Sequence, residues 1–163
     1  MRWLKHLLAN RWTIRRYFSE ADLKRITDAI AASESKHRGE IMFAIDARLT
    51  SQELLQRRTS REKVIETFSR LRTWDTEENN GVLIYLLLAD RRLEILADRG
   101  VHKKAGPEFF ERICRDVESS YQKGKFAEGT IAGIQQVSNK LEELYPRDGR
   151  IDINELSDKP VIL

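Results

Sequence analysis

The sequence predicts an α/β domain: a small mixed β-sheet, one parallel pair plus an antiparallel hairpin, flanked by helices on both faces. Three observations carry that reading. Val82 to Ala89 is an eight-residue apolar run, too short to cross a bilayer and bounded by turn residues, as a strand buried on both faces requires. After only Asp90 and Arg91, Leu93, Ile95 and Ala97 alternate with Glu94, Leu96 and Asp98, which gives an antiparallel partner nearer the sheet edge. Upstream, Glu40 to Asp46 reads as a first strand separated from Val82 by a helical stretch. A strand–helix–strand unit favours parallel pairing with a right-handed crossover.

A chain of 163 residues is one domain by length and can bury a real core. Hydrophobic residues at 40% and charged residues at 34% describe a globular domain with a heavily charged surface. The net charge of +3 is mildly basic, well short of the dense basic stripe of a nucleic-acid binder. Arg57, Arg58 and Arg61 form a local basic cluster, but a charge run on a helix is usually a solvated face, and nucleic acid ranks last among partners. Cys114 stands alone, which excludes a disulfide framework and a cysteine metal site. Arg2 and Lys5 are not followed by an apolar core of signal-peptide length, and no stretch reaches transmembrane length. The expectation is a cytoplasmic protein.

The elements follow in order. Residues 1–18 form a basic amphipathic segment: Trp3, Leu4, Leu7, Leu8 and Trp12 recur at helical spacing among Arg2, Lys5, Arg11, Arg15 and Arg16. Two readings stand, a short helix docked on the domain's own core, or a helix lying on an anionic membrane surface. Residues 19–145 form the domain. Ser19 and Asp22 make a capping box ahead of a stripe at Leu23, Ile26, Thr27, Ile30 and Ala31. A second helix is expected from Ser51 to about Arg72, with Leu54, Leu55, Val64, Ile65, Phe68 and Leu71 as its apolar face. After the hairpin, Gly106-Pro107 opens a helix through Phe109, Phe110, Ile113, Cys114, Val117 and Tyr121, which Gly124 ends. Phe126 to Tyr145 is the last helix, stopped by Pro146. Residues 146–163 form a polar tail, an extended strap or a mobile terminus.

With this strand order, Glu40, Asn79, Asn80, Asp98 and Arg99 fall at one end of the sheet, with Asp75, Glu77 and Glu78 on the loop above. Asp46 and Asp90 fall at the other end. Carboxylates and amide oxygens are what Ca²⁺ or Mg²⁺ needs. Glu40, Asp75, Glu78, Asn79, Asn80 and Asp98 are therefore candidate metal ligands, with Arg99 and His102 as candidate substrate-binding residues. The competing reading is a purely structural acidic turn, since Asn-Gly is an ordinary turn pair. Asp148 to Glu155 matches only the second half of an EF-hand loop and is set aside, because Leu144 and Pro146 stand where oxygen ligands belong. Glycine-rich phosphate loops, a nucleophile elbow and paired histidines are all missing, Cys114 lies on an apolar stripe, and no organic cofactor is implied.

The segments Trp74-Asp75-Thr76-Glu77-Glu78-Asn79-Asn80-Gly81-Val82-Leu83-Ile84-Tyr85 and Asp90-Arg91-Arg92-Leu93-Glu94-Ile95 through Arg99-Gly100 resemble the TPM domain family. Gly124-Lys125-Phe126 and Asn154-Glu155-Leu156-Ser157-Asp158 are also similar, the latter to a bacterial subgroup. The family includes thylakoid-lumen acid phosphatases and photosystem II repair proteins. The resemblance implies a sheet flanked by helices, divalent-cation binding in acidic loops, and phosphatase activity in some plant members. The first functional expectation is thus an accessory or binding module with a protein or membrane-surface partner. The second is a metal-dependent phosphomonoesterase.

Overall fold

The computed structural model describes residues 2–149 and 154–163. Three strands lie where the apolar patterns put them: β1 (Glu40–Asp46), β2 (Gly81–Leu87) and β3 (Arg92–Ala97). β1 and β2 are parallel, with Glu40 opposite Gly81, and β3 runs back antiparallel with Ala97 opposite Val82. A fourth strand, β4 (Val161–Ile162), comes from the tail and adds in parallel to the free edge of β1, giving the order β3-β2-β1-β4. The Leu163 amide donates to the Ile45 carbonyl at 2.9 Å, so the last residues are tied into the sheet.

Helices cover both faces of this mixed sheet. On one face, Ile41, Phe43, Ile45, Val82, Ile84 and Leu86 pack against α2 (Arg11–Tyr17), α3 (Glu20–Glu34), α7 (Pro107–Gln122) and α8 (Phe126–Leu144). On the other, Met42, Ala44, Leu83, Tyr85 and Leu87 meet α4 (Ser51–Leu55) and α5 (Ser60–Arg70), with Leu156 and Leu163 of the tail. α1 (Arg2–Leu8) and α6 (Arg99–Ala105) complete the described helices.

Two stretches read as single helices are each broken in two, and capping residues explain both breaks. Asn10 accepts from the Thr13 amide and Thr13 answers through its hydroxyl, which starts α2 anew after α1. Thr59 and Glu62 form the same reciprocal box ahead of α5, after Arg57 turns the chain at φ 55°. The break rotates the second half, so Leu55 and Ile65, both assigned to the apolar face, stand exposed. α6 was not expected; Asp98 starts it as N-cap.

α1 docks on the domain by its polar side, whereas α2 buries Ile14 in the core. His6 is fully buried; its Nδ1 accepts from the Leu49 amide at 2.9 Å and its Nε2 donates to Asp90 at 3.0 Å. Arg2 donates to the other Asp90 oxygen at 3.0 Å. Burial works against the Asp90 carboxylate, but the hydrogen bonds from Arg2 and His6 prevail and hold its pKa below the ordinary value.

Gly81 shows how tightly the head of the sheet is closed. A Cβ built there would lie 2.0 Å from the Thr73 carbonyl oxygen, a backbone atom that cannot swing aside. Gly81→Ala is expected to cost about 3 kcal/mol or more. Urea unfolding should show a lower midpoint at unchanged slope; a midpoint within error of wild type would mean the loop yields freely.

Candidate functional site

The parallel pair begins, and β3 ends, at one end of the sheet, beneath the loop from α5 to β2. Asn80 ties this end together. Its buried side chain donates to the Arg38 carbonyl at 2.6 Å, and its amide donates to Thr76 Oγ1 at 3.1 Å. Asn79 takes the left-handed conformation at φ 52° and is exposed. Glu78 pairs with Arg38, which also donates to the Pro146 carbonyl at 3.2 Å and lies 3.8 Å from Asp148. Asp75 is exposed and paired with Arg72 at 2.5 Å. Asp98 caps α6 with one oxygen, 2.6 Å from the Arg99 amide, while its other oxygen is buried with no hydrogen-bond partner among the described residues. Arg99 and His102 are exposed on α6.

The candidate ligands therefore share one end of the sheet without converging on a point. Among the described residues, no group of three or more histidine, cysteine or acidic side chains stands at metal-holding spacing. Glu40 alone joins a carboxylate cluster, and its companions were missed in the sequence. Glu34, in the last turn of α3, is 9% exposed. Its Oε2 accepts from Asn154 Nδ2 at 3.2 Å, and the same nitrogen donates to Asp158 at 2.7 Å. Glu34 Oε1 is buried with no hydrogen-bond partner among the described residues. Glu40 accepts from the Glu155 and Leu156 amides, both at 3.3 Å, and the Glu155 carboxylate accepts from the Glu77 amide at 3.0 Å. Burial, then the Glu40 and Asp158 carboxylates, pushes the Glu34 carboxyl up to about 9.

A signal for Glu34 did exist. It follows Ile26 and Ile30 at steps of four, so this acid points inward with the apolar residues. Of the EF-hand-like stretch, residues 150–153 lie outside the described residues; Glu155 is engaged on the Glu77 amide.

Some titratable groups elsewhere have structural partners. At the opposite end, buried Lys63 lies 2.8 Å from Glu53 and 3.9 Å from Asp46, and the Tyr85 hydroxyl donates to Asp46 at 3.2 Å. Burial pushes the Cys114 thiol up to about 12, the reverse of an activated nucleophile. His37 is fully buried and pushed down to about 4 by that burial.

A sheet of this topology, closed at its head by an Asn-Asn-Gly loop and followed by a capped α6, defines a small α/β module. The TPM domain model matches residues 15–140, and the chain belongs to that family. Among solved structures, it is similar to the BA42 protein of the psychrophilic bacterium Bizionia argentinensis. That match has 23% identity and a TM-score of 0.77, covering 90% of this chain and 95% of that one. It is also similar to the N-terminal domain of a protein from P. gingivalis, at 20% identity and a TM-score of 0.58, covering 82% of this chain and 83% of that one. These likenesses show the fold. No curated protein matches the sequence.

Two buried groups give the fold opposing pH dependences. Glu34 has a folded value near 9 against an ordinary 4.5. The folded state thus keeps a proton that the unfolded chain releases, and stability falls as pH rises between those values. Glu34→Gln is expected to remove this loss, a gain of about 3 kcal/mol at pH 7. His37 acts at lower pH: its folded value near 4 lies below the ordinary 6.5, so stability falls as pH drops through that window. His37→Leu should flatten the acid limb. Urea unfolding from pH 4 to 9 reads both; parallel curves for wild type and variants would remove these assignments.

Proposed function

We propose that the chain is a non-catalytic TPM-domain binding module. In this reading it takes a divalent cation at the head of its sheet and works at the cytoplasmic face of a membrane through residues 1–18. The observation that carries the cation part is Glu34. A buried carboxyl with one oxygen left without a hydrogen-bond partner among the described residues, sharing the Asn154 amide with Asp158 and raised by burial and then by Glu40, is a site that suits a cation. Hard cations prefer oxygen donors, and a cation there replaces the proton that Glu34 otherwise holds. The donors come from a helix, a strand and the tail, a pliable set that suits Ca²⁺ better than Mg²⁺, which demands near-octahedral geometry.

Backbone amide NMR titration with Ca²⁺ and then Mg²⁺ tests this. Saturable shifts are expected on residues 34–40, 77–81 and 154–158, and Glu34→Gln with Glu40→Gln should abolish them. Because Glu34 must lose its proton, affinity should rise up to about tenfold per pH unit on the way to pH 9. Shifts gathered instead on Asp75 and Asp98 would return the site to the loop residues and take Glu34 out of it.

A second reading, a metal-dependent phosphomonoesterase, draws on the buried Asp98 oxygen that has no hydrogen-bond partner among the described residues, one residue before exposed Arg99. Asp75, Glu78, Asn79 or Asp98 would hold the cation, which would supply an activated water, and Arg99 would offset charge on the phosphoryl group. Turnover of an aryl phosphate that chelation and Asp98→Asn both abolish would favour it; turnover that survives both belongs to a contaminant.

A further inference from the structure

The first helix carries its apolar side chains outward, and the second, which buries Ile14 in the core, leaves Trp12 exposed beside it. On α1, Trp3, Leu4, Leu7 and Leu8 are 45%, 53%, 56% and 69% exposed, and on α2 Trp12 is 74% exposed. The residues turned inward on α1 are the polar ones, since His6 and Arg2 make the bonds to Leu49 and Asp90. An exposed cluster of large apolar residues at this density marks an interaction surface.

The charges on α1 and α2 themselves are of one sign. Lys5, Arg11, Arg15 and Arg16 are exposed, and no acid occurs before Glu20. None of these four makes an ion pair among the described residues; Arg15 instead lies over the Trp12 ring, 5.4 Å from its centroid. Beside Leu8 a cavity of about 510 Å³ opens between α1, α2 and the turn after β2, with Lys5, Thr13, Arg16 and Arg91 as its polar lining. Arg91 is held in place there, its guanidinium 5.8 Å from the Tyr17 ring and 5.7 Å from the Phe126 ring. Cations and a hydroxyl without a carboxylate are the lining that a phosphodiester selects.

We propose that this face docks on an anionic phospholipid bilayer. Trp3, Leu7, Leu8 and Trp12 enter the boundary between headgroups and acyl chains, and Lys5, Arg16 and Arg91 hold a lipid phosphate in the cavity. Tryptophan suits that boundary, and basic residues are drawn to the negative surface potential. A second copy of the chain is the poorer occupant, because pairing two such faces sets cation against cation with no acid on either α1 or α2. The inference rests on the membrane part of the function proposed above and is independent of its cation part.

The test uses the full chain carrying Trp74→Phe, so that tryptophan emission reports only Trp3 and Trp12. It is mixed with vesicles of phosphatidylcholine alone or with phosphatidylglycerol added. Co-sedimentation and a blue-shifted emission are expected only with phosphatidylglycerol. Trp3→Ala with Trp12→Ala, followed by sedimentation alone, should weaken binding at least tenfold. Lys5→Glu, Arg15→Glu and Arg16→Glu together should weaken it on the order of 100-fold, from roughly fivefold per basic residue. An unchanged circular dichroism spectrum and an unchanged urea midpoint certify that each variant is folded, and neither depends on the cation proposal. The proposal fails if the anionic vesicles leave the protein in solution, or if the tryptophan variant binds as wild type does. It fails equally if sedimentation velocity shows a dimer that the tryptophan variant dissolves, for the face then belongs to a second copy.

Discussion

Every residue of β2 is buried, and that constraint organises the domain. A strand whose side chains are apolar on both faces cannot lie at a solvated surface, so each face needs its own cover. Four helices cover one side of β2; α4, α5 and the tail cover the other. Its two neighbours differ accordingly. β1 is buried for six of its seven residues, because β4 and the tail shield its outer edge, while β3 alternates between buried and partly exposed positions as an edge strand does.

The head of the sheet inherits its character from this closure. The loop above β2 must descend so steeply that the Thr73 carbonyl leaves no room for a side chain at position 81. Asn80 is then drawn beneath the loop, where its side-chain amide serves the Arg38 carbonyl just ahead of β1. The same closure brings the tail across the start of β1, placing the Glu155 and Leu156 amides on Glu40 and the Asn154 side chain on Glu34. Carboxylates from a helix and a strand are thereby enclosed beneath a third segment. Their crowding follows from what the tail must do to add β4 to the sheet.

The apolar run of β2 and the alternation of β3 were legible in the sequence because burial leaves a period that single residues display. Parallel pairing of β1 with β2 follows from the intervening helices, and it puts Glu40, Asn80 and Asp98 at one end of the sheet. The breaks at Asn10 and Thr59 were harder to see. An apolar stripe continues across each, and only the Asn-x-x-Thr and Thr-x-x-Glu spacings betray a restart. β4, with two residues, carries no period at all. The Glu34 cluster was out of reach for another reason: its hydrogen-bond partner Asn154 lies 120 positions away, so no local pattern joins them. What the sequence did hold was an acid in register with Ile26 and Ile30, an inconsistency of the kind that functional positions leave.

A second such inconsistency governs the N-terminus. Spacing alone says that Trp3, Leu4, Leu7 and Leu8 form the buried side of a helix, and by the hydrophobic effect alone they would be. A single histidine reverses the orientation. His6 satisfies the buried Leu49 amide through one ring nitrogen and Asp90 through the other, and Arg2 completes the Asp90 carboxylate. Turning α1 over to hide its leucines would strand all three of these groups, and a buried polar group without a partner costs on the order of 1–3 kcal/mol. The exposed apolar face is thus locked in place by polar bonds on the opposite side of the same helix. It does not depend on whatever the face itself touches, so the surface is presented ready-made to a partner.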